Sequence, residues 1–369
     1  MIPCKVNLGA IAAQPLEISL RLKLFFWFIL SAFSVFFAEV VSGSYPFPFF
    51  NPFKPWDMWG WLVLMPLYGL HTLVLASVVF NYGKPRFYAL FLAGAIFGLY
   101  EAYITKVLWD PPWGAPVVSL GGVAVIELVV ISLFWHPFMS FVIPLTAAET
   151  GLTGSGEILD GLPANIKRLF AKRGLVLFFI FSLWAGANHG GAGLVSATFS
   201  ALISVGFLLA LIRVWENRTR GMKYPLRALL PDRRQTRYLL SALIALYVVG
   251  GAAIYPQRIP GVASQAPIWA LYALTLGLLV LAIRRSRTDG IPGPHLGPAL
   301  GRRHLLAFAV VFTVASAVSG FFGLSVVVLV MSWFPGFALG LAFYVWSAWN
   351  ILRRPRVDAL PPAGEHSQS

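Results

Sequence analysis

The sequence predicts an all-α fold: a polytopic integral-membrane helical bundle of about ten transmembrane helices, with the N-terminus and C-terminus cytoplasmic. Three observations predict it. The chain of 369 residues is 58% hydrophobic and only 11% charged, with a mean hydropathy of +0.76, whereas a water-soluble domain carries roughly 25% charged residues. Apolar runs near the ~20 residues that cross a bilayer recur along the whole chain. The Lys and Arg residues gather in alternate connecting segments.

The runs justify the elements one by one. The first, 24 to 41 within RLKLFFWFILSAFSVFFAEVVSGS, is longer than a signal-peptide core and lacks a small-x-small cleavage site, so it reads as an uncleaved helix. Runs follow at 59 to 80, 87 to 106 and 117 to 135, the last continuing past His136 and Pro137 to Glu149, with Pro137 and Pro144 expected to kink it or to set off a half-helix. LPANIKRLFAKR, 162 to 173, alternates apolar and basic residues at helical spacing and is expected along the inner headgroups. Spans then fall at 174 to 188, 194 to 212, 238 to 255 and 266 to 283. TDGIPGPHLGPALG, 288 to 301, reads as a flexible linker. Runs at 304 to 331, with Gly320 and Gly323 able to bend it, and at 335 to 352 complete the set. The organisation is a cytoplasmic segment 1–23, one transmembrane domain 24–352 and a disordered cytoplasmic tail 353–369.

With the N-terminus inside, every Lys and Arg except Lys54, Lys106 and Arg258 is cytoplasmic. That bias accounts for the net charge of +14 through topology. It excludes nucleic acid as a partner, since no basic stripe with interleaved aromatics stands apart from the loops. Membrane lipids are the partners the composition implies, and a prokaryotic plasma membrane the location. Cys4 is the lone cysteine, so no internal disulfide forms. Asn217-Arg-Thr219 fits the glycosylation pattern but falls in a cytoplasmic loop.

Ionisable residues inside a span point to function, because a charge at mid-depth costs at least about 2.5 kcal/mol. Glu101, in GLYEAYITKVLWDPPWG, lies roughly 7 Å inward of Lys106. The two side chains stand about 140° apart on a helix and make poor partners, so Lys106 reads as a snorkelling anchor or a counter-ion. Glu39, near the outer end of the first run, shares that outer level. Between them in sequence, YPFPFFNPFKPWDMWGW is too rich in Pro for a helix and suits a rigid aromatic cover with Asp57 as its acid. Asn188 and His189 close the fifth run in LWAGANHGGAG, where a Gly-rich turn exposes backbone amides. Glu39, Glu101, Asn188 and His189 are thus the candidate binding residues. His136 and Glu149 are expected at the inner interface. Glu127 is expected near mid-membrane and facing the bundle interior, with a contact to His71 as one arrangement.

EAYITK resembles the first motif of CPBP-type intramembrane endopeptidases, in which paired glutamates precede an arginine. Glu101 matches the first glutamate, Ala102 replaces the second and Lys106 replaces the arginine. The histidine motifs of that family are not matched, since Leu67, Ser132 and Ala185 precede His71, His136 and His189 where it has phenylalanine. FAEVVSGSYPFPFFNP, PLYG and the Glu101 segment are also similar in cadence to uncharacterised multi-pass membrane proteins of prokaryotes.

Three functions fit. In the first, Glu39, Glu101 and His189 line a carrier for a proton, a cation or a polar solute. In the second they serve a membrane-embedded enzyme, an intramembrane protease or lipid-modifying enzyme at the outer leaflet, as general base or metal ligands. In the third the acids only lock helices in an assembly or scaffold protein. The motifs HExxH, GxxxxGK, GxSxG and CxxC are absent. Substrate, cofactor and oligomeric state are not encoded in any motif.

Overall fold

The computed structural model describes residues 18–287 and 301–353. Cys4, most of the 288–301 linker and the tail after Arg353 lie outside them. Ten helices long and apolar enough to cross a membrane are present among the described residues: α1 Leu20–Val40, α2 Gly60–Tyr82, α3 Phe87–Thr105, α4 Val125–Leu152, α5 Ala164–His189, α6 Leu194–Thr219, α7 Arg233–Ala253, α8 Val262–Ser286, α9 Arg303–Phe322 and α10 Ser325–Arg353. The polytopic helical bundle read from the sequence is the observed fold.

The arrangement is uneven. Helices α1 to α4 bury most of their surface inside the protein, whereas α5, α7, α9 and α10 leave most of theirs to the surroundings. Helix α3 is the hub, packed by α2, α4, α7, α8 and α10. Its tightest neighbour is α4, because Gly94 and Gly98, four residues apart, leave room for backbone contact. A Cβ at Gly94 would meet Pro137 Cα at 2.5 Å, and one at Gly98 would meet Ser132 Cα at 2.7 Å.

Two span boundaries differ from those expected. The residues 117 to 124 do not open the fourth helix. They form a short antiparallel hairpin, β1 Ser119–Leu120 with β2 Val123–Ala124, so α4 starts at Val125 and runs on through both prolines to Leu152. It does so by widening: Leu128–Val142 is wound as a π-helix. Pro144 has no N–H to offer Ser140 O four residues back, and that carbonyl is instead met by Ser34 Oγ at 2.6 Å and Thr72 Oγ1 at 3.4 Å. The second difference is the break between α9 and α10. Gly323 takes a left-handed φ of 65° and ends α9, so that 325 onward joins α10 through Pro335. Residues 164 to 173 are helical as expected and continue into α5 across a kink at Arg173.

Loops rich in Lys and Arg meet at one end of the bundle. There Arg227 pairs with Glu157 at 3.2 Å, Asn81 donates to Pro231 O, and Arg287 donates to Tyr82 O. At this end Glu149 is no solvated acid. It is fully buried and accepts the amides of Ile158 and Leu159 at the start of the short helix Glu157–Gly161. The opposite end holds Lys106 and Arg258, the latter paired with Asp110 at 2.9 Å.

Lys106 is neither a snorkelling anchor nor a partner of Glu101. It ends α3 in a left-handed conformation, φ 60°, with its side chain buried. Its ammonium donates to three carbonyls: Ile104 at 2.8 Å, Gly251 at 2.7 Å and Ile254 at 2.6 Å. Carbonyls at helix C-termini have no intrahelical partner, and one cation here serves the ends of both α3 and α7.

Candidate functional site

Four helices bring two acid pairs together at the Lys- and Arg-poor end. On α1 the last turn, Phe36–Val40, is π-wound and carries Glu39; π segments of this kind often mark functional sites. The Glu39 carboxylate accepts the hydroxyl of Tyr68 from α2. On α3, Glu101 Oε2 lies 3.0 Å from His136 Nε2 of α4. Glu39 is within electrostatic reach of both Glu101 and His136. The rings of Tyr68 and His136 stand 6.1 Å apart, and Phe97 packs against both.

The polarity of the cluster runs one way. Tyr68 and His136 are buried, at 1% and 4% exposure, while Glu39 is partly exposed and the Glu101 side chain keeps 13% of its surface. Glu39 and Glu101 are therefore the partly exposed residues of the cluster, and Tyr68 and His136 their buried backing. His136 is fixed at both nitrogens, since Nδ1 lies 2.6 Å from Ser140 Oγ. With Nε2–H donating to Glu101, the neutral ring accepts from Ser140; as an imidazolium it donates to both. Ser140 is fully buried, so it orients the ring and does not face a substrate.

His136 was expected at the inner interface, and the structure corrects this. The late start of α4 moves His136 from the end of a helix to its interior, at the level of Glu101. Of the candidate residues, Glu39 and Glu101 are brought together. Asn188 and His189 contact the two residues that follow Glu39 but are turned to the backbone: Asn188 Nδ2 donates to Val41 O at 2.9 Å, His189 Nδ1 donates to Val40 O, and the His189 ring stacks on Phe312 at 5.5 Å. They grip the end of α1 that presents Glu39. Glu127 is buried, and its carboxylate is met by the Val117 amide at 3.3 Å; His71 lies instead among Phe97 and Tyr100. Sequence reasoning missed Tyr68 and misplaced His136. The small-residue pair Gly94 and Gly98 was the available signal that whatever faces α3 there approaches closely.

The aromatic loop after α1 packs against α2 and α6: Trp61 Nε1 of α2 donates to Phe49 O at 2.9 Å, and the Phe49 ring stacks on Phe207 at 4.5 Å. The Asp57 carboxyl is held below the ordinary carboxylate range by the Tyr45 hydroxyl beside it and by the Trp59 amide at 3.1 Å. Among the described residues no group of three or more His, Cys, Asp or Glu is arranged to hold a metal ion, so the three-ligand set Glu39, Glu101 and His189 is not assembled.

Comparison with known proteins places the chain in context. The sequence profile of a family described as "Uncharacterized membrane protein family" matches residues 28–354. A protein of Archaeoglobus fulgidus, described as an uncharacterized protein, is 33% identical over 259 residues, covering 70% of this chain and 78% of that protein. No solved structure matches.

Proposed function

The chain belongs to this family of membrane proteins, and we propose that it is a proton-exchanging carrier of a cation or polar solute, residing in a prokaryotic plasma membrane. The observation that carries the reading is the convergence of Glu39–Tyr68 and Glu101–His136 from α1 to α4, with the two glutamates partly exposed and their partners buried. Two carboxylates sharing one water-poor site do not hold two uncompensated charges. A cation that enters displaces a proton, and a proton that enters displaces the cation. His136, bonded on both sides, is the group that stores or returns that proton. Asn188 and His189 serve by fixing the end of α1, and the site opens toward the Lys- and Arg-poor end, which the charge bias assigns to the exterior.

The test is proton flux. The purified chain is reconstituted in vesicles containing a pH-sensitive dye, and a potential is imposed with and without external alkali or ammonium cations. The carrier reading expects cation-dependent proton movement that Glu39→Gln and Glu101→Gln abolish. Flux equal in wild type and both variants would sink it.

A second reading, a membrane-embedded enzyme, is favoured by one feature: the Ser140–His136–Glu101 line orients the carboxylate of a partly exposed glutamate, as a general base requires. It expects chemical turnover of a lipid-borne or peptide substrate with no gradient present.

A further inference from the structure

One buried histidine is not used by the site as described. His71 is 1% exposed on α2. It lies three residues beyond Tyr68, about 4.5 Å further toward the Lys- and Arg-rich end. Its Nδ1 lies 2.6 Å from Leu67 O, and a carbonyl only accepts, so Nδ1 carries the proton and Nε2 of the neutral ring is a bare lone pair. That Nε2 is buried with no hydrogen-bond partner. A histidine serving only to fill the core leaves such an acceptor unmet at a cost.

The surroundings give the acceptor a use. His71 stacks on Phe97 at 4.5 Å and 10°, and the same Phe97 stacks on His136 at 5.5 Å and 21°. Tyr100 meets His71 edge-on at 4.0 Å, its hydroxyl fixed on Leu243 O. Phe97 is itself one helical turn below Glu101 on α3. The ionisable groups around this region are Glu39 of α1, Tyr68 of α2, Tyr100 and Glu101 of α3, His136 of α4, Tyr247 of α7, which packs on Tyr100, and Tyr272 of α8, whose hydroxyl is buried.

We propose that His71 is a second proton-accepting station, divided from the Glu101–His136 pair by the ring of Phe97, so that a proton taken up at the carboxylates moves inward to His71 Nε2. The inference rests on the carrier reading. In the step, the Nε2–H bond of the His136 imidazolium breaks, and its electron pair stays on His136, which becomes neutral with Nδ1–H donating to Ser140. The Nε2 lone pair of His71 takes the proton, making an imidazolium that keeps its Nδ1–H bond to Leu67 O. Phe97 must turn aside to admit a water that accepts the proton from His136 Nε2 and passes one on to His71 Nε2, and in place it blocks the return. The face of Phe97 stacked on His71 supports the transient cation.

Proton uptake by the full chain in vesicles of phosphatidylethanolamine and phosphatidylglycerol tests this. Expected are a rate about tenfold or more lower for His71→Gln, and a raised rate with lost cation dependence for Phe97→Ala. If Glu101→Gln abolishes uptake while His71→Gln runs at the wild-type rate, this inference fails and the carrier reading stands. If wild type takes up no protons, both fail. Should His71→Gln not fold, nitrogen NMR of histidine-labelled wild type decides: His71 Nε2 must gain a proton as the medium is acidified while the protein stays folded, and a ring that stays neutral overturns the proposal.

Discussion

The Glu101 carboxylate on α3 and the His136 imidazole on α4 lie 3.0 Å apart across 35 residues of sequence. Backbone proximity makes this possible, because Gly94 and Gly98 admit Pro137 and Ser132 of α4 against the α3 main chain. Ser140 then sets the ring from behind.

Adding one methyl group to that seam should break the pair. Gly98→Ala places a Cβ against Ser132 backbone atoms that cannot step aside, a loss of about 1 to 3 kcal/mol by overpacking. Thermal unfolding in detergent measures it. Gly206→Ala, where nothing lies within 4 Å, is the control and should leave stability unchanged.

Lys106 should be required for its ammonium and not for its backbone. Lys106→Met leaves the carbonyls of Ile104, Gly251 and Ile254 without their shared donor, costing about 2 to 3 kcal/mol. Lys106→Gly relieves the left-handed φ of 60° yet should still be less stable than wild type, since the donor is gone. A fully stable Lys106→Gly variant would contradict the clamp.

The aromatic loop should loosen in acid. Asp57 has a carboxyl held low in the folded state, by Tyr45 first and the Trp59 amide second. Its contribution is therefore complete above the ordinary carboxylate range and is lost as pH falls through the lowered folded value. Proteolysis or tryptophan fluorescence of the loop should be unchanged from neutral pH to about pH 5 and altered below about pH 4. Asp57→Asn should show the acid behaviour already at neutral pH.

The sidedness of the bundle is open to direct labelling. We propose that the end gathering Arg227, Arg287 and Lys84 faces the cytoplasm, on the positive-inside bias. With Cys4 removed, Arg227→Cys should resist a membrane-impermeant thiol reagent in intact cells and react after permeabilisation. Reaction from outside would reverse the assignment.

Most of the fold was legible because a bilayer allows few solutions: a run of about 20 apolar residues satisfies its own backbone only as a helix. The errors came where residues with special backbone chemistry let apolar sequence do something else. Gly121 and Gly122 turn the hairpin that delays α4, and Gly323 ends α9 within a continuous apolar run. The site was half legible. Glu39 and Glu101 stood out as acids in apolar helices, but a carboxylate's partner lies on another helix at no fixed spacing. His136 was misplaced with the start of α4, and Tyr68, an ordinary membrane aromatic by composition, carries no mark of its role. Lys106 illustrates the same limit, since its acceptors are main-chain carbonyls, which every residue has.

The central claim is that Glu39 and Glu101 act as one site, each sensing the other's protonation. Infrared difference spectra of the carboxyl band, recorded across pH for wild type, Glu39→Gln and Glu101→Gln, test it most directly. The account predicts that neutralising either acid shifts the titration of the one that remains, and that His136→Gln shifts both. Two carboxyl bands that titrate identically whether or not the other acid is present would contradict it.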